Sequence, residues 1–350
     1  MPPLKTEFIT VKKSKWIKNR LLISIDSGNS LTKLLFLNKM HYYLLKNKEE
    51  ASILLNFILF KNSDFDCALE LVKNSAYFPE NNNFNLYVTG VFALKNLEKI
   101  KFNLGINTIF IDEFLTIAES HRFLVEHIGV DNLLANKFME SNINKINNQS
   151  SSIMPDLYPK LFHIHGSSSG CFYFSNDITE YWSILHQGGK TFLGLAKCIL
   201  NTNDYDEIVS LATQGNKCNV DTQVKEMFDQ TIDSTYELPS EMSIFSYGKC
   251  MDLNKGLRDF SKHDLAASLI SYHAKFIIMF AASICSIKKV SKIYLTGNIF
   301  NSEIFQKEIV QFESNFPFAV KPIILNFGYF GALGAMLHDE NTTKIPLKNF

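Results

Sequence analysis

Leu21 to Leu37 (LLISIDSGNSLTKLLFL) sets an acid and four small polar residues between two apolar runs. Asp26, Ser27, Gly28, Asn29 and Ser30 are residue types that tolerate tight or left-handed backbone and expose amide protons, so they can line an anionic group. Asp26 leaves the first apolar run beside the turn, where its carboxylate could hold hydrated Mg2+ bridging phosphates. The flanking runs, Leu21 to Ile25 and Leu34 to Leu37, suit buried strands. The chemistry suggested is nucleotide phosphate binding. Taken alone, the stretch also reads as a plain hairpin with a polar tip.

A second element of the same kind occurs in the other half of the chain. Leu161 to Phe174 (LFHIHGSSSGCFYF) again places an apolar strand before a turn of Gly166, Ser167, Ser168, Ser169 and Gly170, with an aromatic strand after it. Two such hairpins resemble the architecture of the superfamily that holds actin, sugar kinases and the heat-shock chaperone ATPases. The resemblance implies an α/β chain with a two-lobe actin-like ATPase (ribonuclease H-like) fold. Each lobe would be a mixed sheet flanked by helices, with the nucleotide in the cleft.

Residues 1–20 form a basic, loosely ordered arm, and 21–141 a first lobe with strands near 21–27, 32–37 and 41–45, a helix over 49–60, strands at 85–88 and 108–111, and a helix from Asp112 onward. Residues 142–155 (NINKINNQSSSIMP) lack apolar periodicity and read as a linker. A second lobe spans 156–340, with the hairpin, a long helix from Lys262, a strand at 292–295, a helix after Asn301 and a last strand at 322–325, followed by a tail at 341–350. Strands alternating with helices indicate α/β. GYFGALGAML (328–337) spaces Gly328, Gly331 and Gly334 along a helix, which permits either close packing or approach of a nucleotide to the backbone. Gly297 and Asn298, at a strand end, carry the same two readings.

Bulk properties bound the function. The 350 residues carry 35 basic and 35 acidic side chains, a net charge of zero that argues against a nucleic-acid or anionic-membrane role. Small molecules or protein are the expected partners. The six cysteines show no paired spacing and read as reduced thiols of a cytoplasmic protein. Leu265 to Ile287 is apolar for about a bilayer's thickness, yet His273 and Lys275 near its middle favour a helix buried in a core or subunit interface. Ser261 and Asp264 are its capping candidates.

The order of these pieces resembles the type II and eukaryotic pantothenate kinases. IDSGNSLTKL is similar to that family's DIGGTLxKL loop, YVTG followed by Ala93 to its ATGGGA segment, and IFIDEF (109–114) to the strand end bearing its catalytic glutamate. DLYPKLFHIHGSSSG resembles YPxLLVNIGSGVS, GGKTFLGL resembles GGGTFxGL, and ATQGNKCNVDTQVKEMF, FSYGK, SKHDLAASLI, YLTGNIF and GYFGALGAML follow in family order. The resemblance implies ATP-dependent phosphorylation of pantothenate, the first step of coenzyme A biosynthesis, with Glu113 as general base; without it, Glu113 reads as an acid capping a helix.

Carried over residue by residue, the resemblance assigns ATP and phosphate binding to Asp26, Ser27, Gly28, Asn29, Ser30, Lys33, Gly166, Ser167, Ser168, Gly188, Gly189, Lys190, Gly297, Asn298 and Gly331. It assigns substrate binding to Ser167, Ser169 and Tyr181, and Mg2+ to Asp26. It also implies coenzyme A or acyl-CoA as feedback inhibitor, and a homodimer or a heterodimer with a paralogue built on the helix from Lys262.

The chain departs from the family pattern at Asn29, Val91, Phe92, Ser168, Lys190 and Asn216, and Tyr181 stands where the family has an arginine. Lys190 would either restore that charge or obstruct the close approach a glycine allows. A non-catalytic or weakly active subunit of a heteromeric pantothenate kinase is therefore an alternative reading, and a kinase for another small alcohol, such as an amino sugar, is a third.

Overall fold

Aliphatic and aromatic runs punctuated by Gly, Asn and Ser build two six-stranded sheets, each in its own unit of the chain. The computed structural model describes residues 3–12, 23–37, 52–75, 84–127, 160–175, 179–227, 238–252, 256–315, 320–325, 328–338 and 347–348. One unit comprises Met1–Leu134 with Phe327–Leu347, the other Ala135–Asn326 with Lys348–Phe350.

In the first unit the strands are β1 (Lys5–Lys12), β2 (Ile23–Ser27), β3 (Leu31–Leu37), β4 (Ser52–Lys61), β5 (Asn85–Thr89) and β6 (Asn107–Phe110), in the order β1-β4-β3-β2-β5-β6. The meander from β1 to β2 is antiparallel, and β5 and β6 then add in parallel. Helices α1 (Phe65–Lys73), α2 (Val91–Lys95) and α3 (Leu97–Leu104) share one core with Ile23, Ile25, Leu34 and Val88. Helix α4 (Glu113–His127) packs against the C-terminal helix, Phe330–Leu337, which in turn lies on β2, β3 and β5.

The second unit repeats the pattern. Its strands are β7 (Lys160–His165), β8 (Ser169–Phe174), β9 (Thr179–Leu185), the short pair β10 (Thr222–Gln223) and β11 (Ser243–Phe245), β12 (Lys292–Thr296) and β13 (Lys321–Ile324), with Lys348 of the two-residue strand β14 (Leu347–Lys348). The main sheet runs β13-β12-β7-β8-β9-β14, with β7, β8 and β9 an antiparallel meander and β12 and β13 parallel to β7. Helices α5 (Gly189–Leu200), α6 (Tyr205–Thr213), α7 (Val224–Met227), α8 (Lys262–Lys288) and α9 (Glu303–Asn315) complete it.

Helix α8 starts where the Ser261 hydroxyl accepts the His263 amide at 3.2 Å, the capping expected of that serine. Its Leu265, Leu269, Ala274, Ile277, Ala281 and Ile284 are buried in the unit's main core. It is the one described helix long and apolar enough to cross a bilayer, and most of it is packed inside the protein.

Three expectations are corrected. The helix predicted over 49–60 is strand β4, because Leu55, Phe57 and Leu59 alternate with Ile58 and Phe60 on two faces that are both covered. Lys5–Lys12, predicted as a loose arm, pairs with β4 along eight registered residues. The glycine helix at the C-terminus, predicted in the second lobe, packs within the first unit. The strand predicted at 41–45 and the linker at 142–155 lie outside the described residues, while all six cysteines are free thiols.

Candidate active site

The first loop is a tight connection between β2 and β3, closed by the Gly28 amide donating to the Leu31 carbonyl at 3.0 Å. Asp26 and Ser27 are buried at its base, while Asn29 and Ser30 are exposed at its tip. The Ser27 hydroxyl lies 2.7 Å from that of Thr32 and is fully enclosed, so this side chain holds the hairpin shut and does not face outward as a phosphate donor. Asn29 is absent from the positive-φ residues, so asparagine sits there without left-handed strain.

Lys33, facing Asp26 across the β2–β3 pair, donates to its Oδ2 at 3.2 Å. Glu113 opens α4, where the Asp112 carboxylate accepts the Phe114 amide at 2.8 Å and caps the first turn. The Glu113 carboxyl is pushed up to about 7, first by removal from water and then by the charges of Asp26 and Asp112, with Lys33 opposing. Glu113 is itself exposed to solvent, so the upward direction rests chiefly on the neighbouring carboxylates of Asp26 and Asp112. A carboxyl held near neutrality is suited to general acid–base work.

Glycines fall into two groups, distinguished by what an added Cβ would meet. At Gly90 (φ +91°) it would lie 2.4 Å from the Ser27 carbonyl oxygen, at Gly331 2.6 Å from Asp26 Oδ2, and at Gly334 1.8 Å from the Thr116 carbonyl oxygen. These three let β5 and the C-terminal helix close on β2 and α4. At Gly28 the nearest described atom is the Leu31 carbonyl oxygen at 4.0 Å. The fold therefore does not demand glycine at 28, and the bare backbone there suits an approaching anion.

In the second unit the Gly166 amide donates to the Ser168 carbonyl at 2.8 Å and closes the loop, with Gly166 and Ser168 exposed and Ser169 buried. Helix α5 begins directly on that loop: the Gly189 amide donates to the Gly166 carbonyl at 2.8 Å and the Lys190 amide to that of Ser167 at 3.0 Å. Two of the four amides that a helix N-terminus leaves open are thus used inside the protein. A Cβ at Gly188 would meet the Ser167 carbonyl oxygen at 2.5 Å, and at Gly189 that of Gly166 at 2.8 Å, so both serve the packing of α5 on the loop. The Lys190 side chain is exposed, and nothing in this packing requires glycine at its position.

Gly297 (φ +135°) ends β12 with its Cβ position 2.0 Å from the His165 carbonyl oxygen. It is the counterpart of Gly90: each ends the strand parallel to a loop's first strand and presses on that strand's last residue. Asn298 is exposed beyond it. Tyr181 pairs with Phe172 in the β8–β9 ladder beside a register shift.

Asn62 was missed by sequence reasoning, because a helix was predicted up to Phe60. It follows β4 directly, and its Nδ2 donates to the Gly28 carbonyl at 2.7 Å.

The residues suit the groups expected of them. Magnesium asks for one or two carboxylates together with phosphate and water oxygens. Asp26 supplies one carboxylate beside an open loop, and among the described residues no group of three or more His, Cys, Asp or Glu could hold a metal alone.

A duplicated sheet of antiparallel meander plus parallel strands, with a small-residue loop at the same hairpin of each copy, defines an actin-like ATPase fold. The chain belongs to the Fumble family, that of the type II and eukaryotic pantothenate kinases, whose model matches residues 22–338. It is similar to a 4'-phosphopantetheine phosphatase of Mus musculus, 23% identical over an alignment of 347 positions that covers 92% of this chain and 41% of that protein. It therefore spans about two fifths of that relative's length. A type II pantothenate kinase of Bacillus thuringiensis is 19% identical over 91% of this chain and 98% of its own length. Among solved structures, an activator of 2-hydroxyisocaproyl-CoA dehydratase from Clostridium difficile with bound ADPNP covers 90% of this chain and 92% of that one, at 13% identity and a TM-score of 0.48.

Proposed function

We propose that the chain is an ATP-dependent pantothenate kinase that forms 4'-phosphopantothenate, with Glu113 as general base. The observation that supports this most is the Glu113 carboxyl, raised to about 7 beside Asp26 and Lys33. Its ionised form takes the proton of the pantothenate 4'-hydroxyl, a contribution of roughly 10²- to 10⁴-fold in rate. Asp26, oriented by Lys33, would hold Mg2+, and the outward face of the loop at Gly28 and Asn29 would hold phosphate. Bound Mg-ATP would supply the phosphoryl group and the neutralising charge, so that the protein's part is mainly positioning. The phosphatase name of the mouse relative does not weigh against this, since more than half of that protein lies outside the match.

A second reading, a supporting subunit in a heteromer, is favoured by the loss of glycines after Gly90, where Val91 is exposed, and by two of the N-terminal amides of α5 being already bonded. In either case we place a dimer contact on α8. Its Met279 and Ile287 are exposed, and Phe276 and Phe280 stack on the same helix. Pantothenate-dependent release of ADP from Mg-ATP by the purified chain tests the proposal. No release from folded, homogeneous protein overturns it, and release only with a second paralogue present selects the heteromer.

A further inference from the structure

Asn62 touches the first loop at several points at once. Its backbone amide donates to the Ser30 carbonyl at 3.0 Å, and its side-chain Nδ2 donates to the Gly28 carbonyl at 2.7 Å. Its Oδ1 accepts from the Thr32 hydroxyl at 2.9 Å and, more weakly, from the Ser27 hydroxyl at 3.5 Å. The Gly28 carbonyl can only accept, which fixes which end of the amide faces it.

A trans peptide carries its C=O and N–H on opposite sides. With the Gly28 carbonyl drawn inward to Asn62, the amide of Asn29, in the same peptide plane, points away from the body of the unit at the exposed tip of the loop. The Gly28 amide is already bonded to Leu31, so the Asn29 amide is the donor whose direction this clamp decides. The Ser27 and Thr32 hydroxyls, buried and bonded to each other, complete the clamp from behind. It also accounts for asparagine at 29, since the loop's shape is set from outside it and needs no left-handed residue at that position.

We propose that Asn62 is a positioning residue for phosphate at the first loop, acting by fixing the Gly28–Asn29 peptide with its amide outward. This rests on the reading that the loop binds nucleotide phosphates. Aspartate at this position would set an acceptor against the Gly28 carbonyl, and alanine would leave that carbonyl without this donor.

The test titrates Mg-ADP and adenosine into the wild type, Asn62→Ala and Thr32→Val, with thermal unfolding measured alongside. Asn62→Ala is expected to weaken Mg-ADP about tenfold, the scale of one hydrogen bond, while adenosine affinity changes by less than about twofold. Equal losses for both ligands, or undiminished Mg-ADP binding, would overturn the proposal, because a merely structural role would not separate them. Should Asn62→Ala not fold, Thr32→Val removes one donor to Oδ1 and should give a smaller loss, again confined to Mg-ADP. Thr32→Val with no such selectivity overturns the proposal. A wild type that binds no Mg-ADP overturns the phosphate-loop reading and the proposal with it, whereas normal binding unaffected by Asn62→Ala removes only the role of Asn62.

Discussion

Acidification should unfold the second unit through three histidines that the proposed chemistry does not use. His163 and His165 lie two residues apart on β7, facing the same way, and His273 reaches them from α8. His165 Nε2 and His273 Nε2 are 3.3 Å apart, so one must donate and the other accept. His163 Nδ1 lies 3.4 Å from the Cys171 sulfur, and Phe192, Phe300 and Phe305 pack around the rings. The far nitrogens, His163 Nε2, His165 Nδ1 and His273 Nδ1, have no partner among the described residues. Burial, the largest cause in each case, pushes His163 down to about 3 and His273 to about 4, and holds His165 well below its ordinary value.

The unfolded chain binds these protons near pH 6.5 and the folded chain does not. The stability they confer is therefore complete above about pH 6.5 and is lost as pH falls toward the folded values. Between about pH 7.5 and 5 each ring should remove about 2 kcal/mol, and three about 6, a large share of a typical folding free energy of about 5–15. Urea unfolding followed by circular dichroism at the two pH values measures this, with hydrogen exchange assigning the loss to β7 and α8. His273→Phe should reduce the pH slope by about a third, since it removes one of three rings. A midpoint unchanged between the two pH values would refute the reasoning.

Further outcomes follow from the same geometry. The pH profile of kcat/KM for pantothenate phosphorylation should rise through about 7 as Glu113 ionises, and Lys33→Met should move its midpoint upward, because the lysine charge favours the carboxylate. Gly334→Ala, whose Cβ would meet the Thr116 carbonyl oxygen at 1.8 Å, should lower stability by roughly 1–3 kcal/mol. Gly28→Ala should leave the denaturant midpoint almost unchanged and weaken Mg-ADP binding in titration, which reverses the order expected if both glycines served packing. Met279→Glu should shift the mass measured by light scattering from dimer to monomer.

The two hairpins were legible because each loop's needs are written locally: small polar residues between apolar strands, twice. Strand β4 was not legible. Phe57 packs against Tyr329 on one face while Phe60 joins the core on the other, so both faces are apolar and no alternation distinguishes strand from helix. The return of the C-terminal helix to the first unit is a long-range event, marked only by glycines whose partners, Asp26 and Thr116, lie far away in sequence. The packing reading of Gly188, Gly189, Gly297 and Gly331 could be separated from a ligand reading only once their neighbours were located. Asn62 carried no signal at all, since a single asparagine after an apolar run is ordinary until its partners are known.

Glu113 is proposed as the base that deprotonates pantothenate. Phosphopantothenate formation from Mg-ATP and pantothenate, followed by phosphorus NMR at about pH 8 for the wild type and Glu113→Gln, measures that claim. Product from the wild type, with a rate roughly 10²- to 10⁴-fold lower in the variant at unchanged thermal stability or better, is the predicted result. Equal rates in the two proteins, or no product from folded wild type, would contradict it.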